Sequence, residues 1–376
     1  MDGEIKRFWT AVSILVGTCI GAGVLGIPYV AAQAGFSIAF IYIILVGLII
    51  LLVNLYLGEV SLRTKGDHQL SGYARRYLGR KAYYLMRFAT FFGIYASIIA
   101  YLLGVSESIS FILFGNFNYY IFIGIGFGLF MSFLIWRGMK SLKKFEKLGV
   151  AIVLFLLLLV LIIFYKDIDF NNLVSYNFSN IFLPFGVILF ALLSFHAVPE
   201  VEMVLHNNEK LMKRVILTST LICVSFYILF TFVVVGFKGI DTPQIATLTL
   251  GNIFIFLGIL TMFTSYLALG NALQENLIFD QRVHKKKAWL LVSIVPIFIF
   301  VVTQLFDYFS FTKILSIGGT ISGGLIGILV LLMIKNAKKK GNRKPEYSVP
   351  VNWFVIILFI LIFVAGMLWE LIQYFF

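Results

Sequence analysis

Apolar residues in this chain fall into long, nearly unbroken runs separated by short polar stretches. Runs of more than about 18 such residues mark membrane-spanning helices. The pattern predicts eleven spans, over residues 8–33, 36–60, 84–114, 117–136, 148–165, 181–205, 214–236, 249–275, 288–306, 311–334 and 351–373. Two of these runs are interrupted near their middles. The first carries Gly17, Gly21, Gly23, Gly26 and Pro28, and the sixth carries Ser194, His196 and Pro199. In lipid every backbone polar group needs a partner, so non-helical backbone at membrane depth is tolerated only where it lines a cavity or binds something. Matched interruptions in two halves of a chain point to the midplane site of a secondary transporter.

The spans sort into five, five and one. Because five is odd, the second set enters the membrane from the opposite side, which gives an inverted repeat. The expectation is an all-α polytopic protein with one membrane domain, 1–376. Within it, 8–165 and 181–334 are the inverted five-span repeats and 351–373 is an additional span. The longest polar connection, 63–83, mixes Leu70, Tyr73, Tyr77 and Leu78 with basic residues. It reads as an amphipathic helix on the cytoplasmic face or as a plain basic loop.

Composition agrees with the class: 61% of residues are hydrophobic and 12% charged. The opening Met1-Asp-Gly-Glu-Ile-Lys-Arg7 leads into the first run without a small-residue cleavage site, so an anchored span is expected in place of a removed signal peptide. A net charge of +13 is explained by its distribution. With the N-terminus in the cytoplasm, only Lys166, Lys238 and Lys313 of the 30 basic residues fall outside. That asymmetry orients the chain in the cell membrane, with the C-terminal Phe376 external, and leaves no surplus basic patch for nucleic acid. Trp9, Trp136, Trp289 and Trp353 all land at the cytoplasmic interface. Cys19 and Cys223 lie in apolar runs and read as small packing residues, not a disulfide.

In the first interruption, Val16-Gly-Thr-Cys-Ile-Gly-Ala-Gly-Val-Leu-Gly-Ile-Pro28, four glycines and a proline lower the cost of leaving the helix. Freed N–H groups of Gly21, Ala22 and Gly23 would face a carboxylate at the start of the outer half-helix, where the dipole favours an anion. Close helix packing is the alternative use of such glycines. Leucine at Gly21 or Gly23 is expected to abolish binding while the protein still folds. The second interruption, Phe190-Ala-Leu-Leu-Ser-Phe-His-Ala-Val-Pro199, frees carbonyls that accept from an ammonium group, with Phe195 and neighbouring apolar residues available to a side chain. An anion site beside a cation site fits a zwitterion.

Four segments carry a resemblance: Gly17-Thr-x-Ile-Gly-Ala-Gly-Val-Leu-Gly-Ile-Pro28, Ala34-Gly-Phe36, Ser194-Phe-His-x-x-Pro199 and Phe263-Thr-Ser-Tyr-Leu267. The chain resembles the amino acid/auxin permeases, most closely the hydroxy and aromatic amino acid permeases of the amino acid, polyamine and organocation superfamily. The resemblance implies a leucine-transporter-like fold and import of a neutral amino acid, aromatic or hydroxy, by alternating access. It implies a substrate site at Cys19, Ile20, Gly21, Ala22, Gly23, Tyr101, Leu193, Ser194, Phe195 and His196. For a coupling ion it implies Gly17 and Thr18 in span 1 with Thr261, Thr264 and Ser265 in span 8. Several sodium-coupled members have an amide near Gly17, and its absence here favours protons over sodium.

Ionisable residues within spans are functional hypotheses because each is costly in lipid. Glu107 lies eight residues before Gly115, roughly 12 Å along the helix. It is read as a titrating group or a vestibule carboxylate. His196 is read as a proton carrier or as a ligand of the broken helix itself. Glu59, Glu200, Glu202 and Glu275 are expected to pair with Arg63, Lys210 or other loop charges. No His/Cys/carboxylate cluster has metal-ligand spacing, and no nucleotide or nucleophile-elbow motif is present. The chain is therefore expected to be no enzyme and to need no cofactor beyond a coupling H+ or Na+. Its expected partners are the amino acid and the bilayer, with no obligate protein partner. A membrane-embedded enzyme or scaffold remains the competing class. The Gly318–Gly324 run is read as close helix packing.

Overall fold

The computed structural model describes residues 2–66, 68–137, 159–160 and 162–375. Its described part is helical. Helix α1 (Asp2–Cys19) and α2 (Ala22–Ala34) meet at a short break with a bend of 52°. They are followed by α3 (Phe36–Leu62), α4 (Leu70–Leu78), α5 (Arg80–Phe114) and α6 (Tyr120–Arg137). After the one-turn helix Asn171–Val174 come α7 (Leu183–Leu192), α8 (Ala197–Val204), α9 (Met212–Lys238) and α10 (Asn252–Glu275). Then follow α11 (Lys285–Leu305), α12 (Phe311–Ile317), a wide π turn over Gly318–Gly323, α13 (Gly324–Lys340) and α14 (Trp353–Phe375). Among the described residues nine helices are long and apolar enough to cross a membrane, or ten when the bent pair counts as one span. The span expected over 148–165 lies almost wholly outside the described residues, as does Phe376.

These helices are apolar all round, which is why periodicity is weak in the sequence. The most hydropathic window of α3 is only 39% buried and that of α14 only 17%. The remaining surface, including Phe122 and Phe354, is the face that lipid covers. Between helices the hydrophobic effect is weak in lipid, so close approach through small residues holds the bundle together. A Cβ on Gly319 would sit 2.2 Å from the carbonyl oxygen of Gly186, and one on Gly318 would sit 2.8 Å from the Cβ of Ala96. The packing role expected for this glycine run is what the geometry requires. Gly35, between α2 and α3, has φ 111° and lies against the backbone of Ser175, so only glycine fits that turn.

One end of the bundle collects the basic residues. There α4 buries Leu70, Tyr73, Ala74 and Tyr77 and exposes Arg75 and Arg76. The amphipathic reading of this connection holds, and the plain loop does not. Trp136 and Trp289 meet edge to face at 5.3 Å at this end, and Lys335 sits over Trp353. A strap between α13 and α14 crosses the same end. The fully buried carboxylate of Glu59 pairs with Arg63 at 2.8 Å and Lys338 at 3.4 Å and accepts from Ser348 Oγ and the Val349 N–H. Arg343 reaches Glu202, Glu209 and Glu346. Glu202 also accepts from Ser61 and Tyr73. Burial, with Glu202 close by, raises the Tyr73 hydroxyl above its ordinary range, so it remains a donor at physiological pH. Lys210 pairs with Glu4 across to α1. The expected pairing of Glu59 with Arg63 is present; Glu202 uses Arg343 of the strap, and Lys210 uses Glu4.

Candidate functional site

Each interruption is real, and the two meet. Helix α1 ends at Cys19, Gly21 leaves the helical region with φ −134° and ψ −142°, and α2 starts at Ala22. In the sixth span, α7 ends at Leu192, Leu193 is extended with ψ 115°, and α8 starts at Ala197. Carbonyls that helix ends leave without an intrahelical donor must bond elsewhere. Here they bond across the two spans. The Tyr227 hydroxyl of α9 lies 2.8 Å from the Cys19 carbonyl and 2.8 Å from the Ala191 carbonyl. Cys19 Sγ reaches the Leu192 carbonyl at 3.6 Å. The phenol has a single proton for two carbonyls, and the Cys19 carbonyl also accepts the Gly21 N–H at 3.0 Å, so the spare acceptor capacity lies at the Ala191 carbonyl.

Around Gly21 two expected residues converge. A Cβ on Gly21 would lie 3.1 Å from the Tyr101 hydroxyl and 3.5 Å from Ser265 Oγ, and Tyr101 and Ser265 are hydrogen-bonded to each other. Gly21 thus faces side-chain hydroxyls from α5 and α10 at close range. Gly23 does not share this outlook. Its missing Cβ would sit 2.5 Å from Ala191 Cα, against backbone that cannot yield, so Gly23 is where α2 and α7 touch. Leucine at Gly23 is incompatible with this packing, contrary to the expectation that such a variant folds. Leucine at Gly21 meets only the tips of two side chains.

The remaining expected residues are dispersed. Ile20, Ala22 and Phe195 are buried in the apolar core, and Leu193 packs against Gly323 of the π turn. Thr18, Thr261 and Thr264 each donate to a carbonyl of their own helix, at Ile14, Gly258 and Thr261. Gly17 lies half-buried one position before Thr18. Among the span 8 hydroxyls, Ser265 is the one turned to the span 1 break. Ser194 accepts from Asn54 Nδ2 at 2.9 Å. His196 caps the start of α8 backbone-wise, and its Nε2 is buried with no partner among the described residues. Glu107 lies six residues beyond Tyr101, about 9 Å further along α5, near Tyr120 and on the side away from the basic end. No group of three His, Cys, Asp or Glu among the described residues could hold a metal ion.

Sequence reasoning missed Tyr227, Asn54 and the contact of Cys223 with Cys19. A signal existed for the first two: a hydroxyl in Ser225-Phe-Tyr-Ile-Leu229 and an amide in Leu51-Leu-Val-Asn-Leu55 are polar groups at membrane depth, each needing a partner. Both cysteines are free.

Residues 4–370 match the tryptophan/tyrosine permease family, and the chain belongs to it. This bears out the resemblance drawn from the glycine-rich and Ser-Phe-His segments. The chain is 26% identical over 242 residues to glutamine transporter 2 of Aliivibrio fischeri, covering 62% of this chain and 61% of the relative. It is 26% identical over 220 residues to the tyrosine-specific transport system 1 of Haemophilus influenzae, covering 57% of this chain and 54% of that relative. The matched stretches span less than two thirds of either relative.

Proposed function

We propose that this protein is a secondary active transporter that imports a neutral amino acid, aromatic or hydroxy in class, across the cell membrane by alternating access. The observation that carries the reading is the joint between the two breaks, where Tyr227 holds carbonyls of both spans at 2.8 Å and Gly21 opens towards Tyr101 and Ser265. The zwitterion's carboxylate meets the N–H groups at the start of α2, and its ammonium meets the carbonyl that Tyr227 leaves unbonded. Membership of the permease family and the names of the two relatives, one for glutamine and one for tyrosine, support the substrate class. The five-plus-five inverted repeat, a cytoplasmic N-terminus and an external C-terminus belong to the same reading and rest on the charge asymmetry.

Protons are the proposed coupling ion, with His196 or Glu107 titrating. Sodium is the second reading, and Ser265 favours it by setting a span 8 hydroxyl beside the span 1 break. The test is uptake of labelled tyrosine, tryptophan, serine and glutamine into proteoliposomes under an imposed pH gradient or an imposed sodium gradient. Accumulation under the pH gradient alone supports the proposal. Accumulation that follows sodium at fixed pH reassigns the ion, and no exchange of any of the four overturns the transport reading for this substrate class.

A further inference from the structure

Helix α3 is continuous over 27 residues, and about two thirds of the way along it carries one amide, Asn54, in an apolar run. Asn54 is 1% exposed. A buried amide in such surroundings is costly unless it is bonded. Its Nδ2 donates to Ser194 Oγ at 2.9 Å, and its Oδ1 has no partner among the described residues. Ser194 sits in the non-helical stretch between α7 and α8, and its carbonyl accepts the Ala197 N–H at 3.0 Å, the bond that opens α8. Seven residues along α3, Ser61 bonds Glu202 near the end of α8. Seven residues are nearly two helical turns, so Asn54 and Ser61 share one face of α3. Helix α8 is therefore laid along a rigid helix and pinned near both ends, at Ser194 and Glu202.

Of these two pins, only that of Asn54 falls at the break. We propose that Asn54 is a positioning residue for the sixth span: it fixes Ser194, and with it the open backbone that meets the substrate, without touching the substrate itself. The inference rests on the transport reading for its functional consequence and on geometry alone for its structural one. An amide on an unbroken helix is a fixed reference, whereas the open backbone has no ladder of its own to hold it. Leucine at this position removes the donor and leaves α3 intact. The break then samples wider positions and binds less well, while substrate that does bind is still carried across.

The test uses the full chain in proteoliposomes with labelled L-tyrosine and L-glutamine as probes, together with backbone hydrogen exchange read by mass spectrometry. Asn54→Leu is expected to raise exchange over 193–198 about tenfold and leave that of α2 unchanged. It should raise the KM of counterflow about tenfold with Vmax within twofold. Ser194→Ala should reproduce both effects, and the double variant should be no worse than either single. Asn54→Asp, which keeps the contact by reversing it and accepting from the Ser194 hydroxyl, should restore exchange over 193–198 to within twofold. If Asn54→Leu fails to insert, Ser194→Ala removes a single oxygen and carries the same two readouts. Unchanged hydrogen exchange, a fall in Vmax without a change in KM, or single effects that multiply in the double variant would overturn the proposal. If the unmodified protein exchanges neither probe, the transport reading falls for those substrates, and hydrogen exchange over 193–198 still decides the role of Asn54.

Discussion

Two regions of this molecule meet the cost of polar groups in opposite ways. At the basic end, Glu59 satisfies its carboxylate with two cations, a hydroxyl and a backbone N–H, and Arg343 serves three carboxylates. At the joint of the two breaks the opposite holds: one phenol proton serves two carbonyls, and Asn54 Oδ1 and His196 Nε2 have no partner among the described residues. A saturated cluster resists change, because removing one member strands the others. An under-saturated cluster at membrane depth is maintained at a cost of about 1–3 kcal/mol per unmet group, which a polar ligand can recover. The first region is saturated, and the second leaves polar groups that the proposed substrate would meet.

Variants that damage one region and spare the other sharpen this contrast. Gly23→Leu has the largest expected effect: its side chain enters the backbone of Ala191, and monodisperse protein should not be recovered in detergent. Glu59→Leu leaves Arg63 and Lys338 facing each other; the two are partly exposed, so a loss of about 3 kcal/mol is expected, the low end for a broken buried pair. Thermal unfolding measures it, and the KM for exchange should not move. Tyr227→Phe should do the reverse, costing about 1 kcal/mol of stability while raising the KM about tenfold, since both break carbonyls lose their common donor. Arg343→Ala should be the mildest, at about 0.5–1 kcal/mol for partly exposed pairs, with no change in transport. Equal effects of Glu59→Leu and Tyr227→Phe on KM would erase the distinction between the regions.

How much of this was legible depended on whether the signal was local. The breaks were legible because glycines, a proline and a polar Ser-Phe-His stretch cluster inside apolar runs at matched places in the chain. The amphipathic α4 was legible from its alternation of aromatic and basic residues. The direction in which each break residue points was not, because it depends on which helix lies opposite. Gly21 and Gly23 are two positions apart and equivalent in sequence, yet one faces the Tyr101 hydroxyl and the other the backbone of Ala191. The same holds for the hydroxyls of α10, where Thr264 turns back to its own helix and Ser265 turns to the break. Tyr227 and Asn54 went unread because a single polar residue in an apolar run does not announce its partner, which lies 36 and 140 residues away, respectively.

The central claim is that the open backbone at Gly21 is where the substrate binds. Counterflow of labelled L-tyrosine by Gly21→Leu, reconstituted beside the unmodified protein and matched for folded protein by thermal unfolding, tests it most directly. The account predicts exchange by the unmodified protein and none by the variant, although both unfold at similar temperatures. Exchange by Gly21→Leu at the unmodified rate and KM would contradict it, and would leave the glycines of the first span a packing role alone.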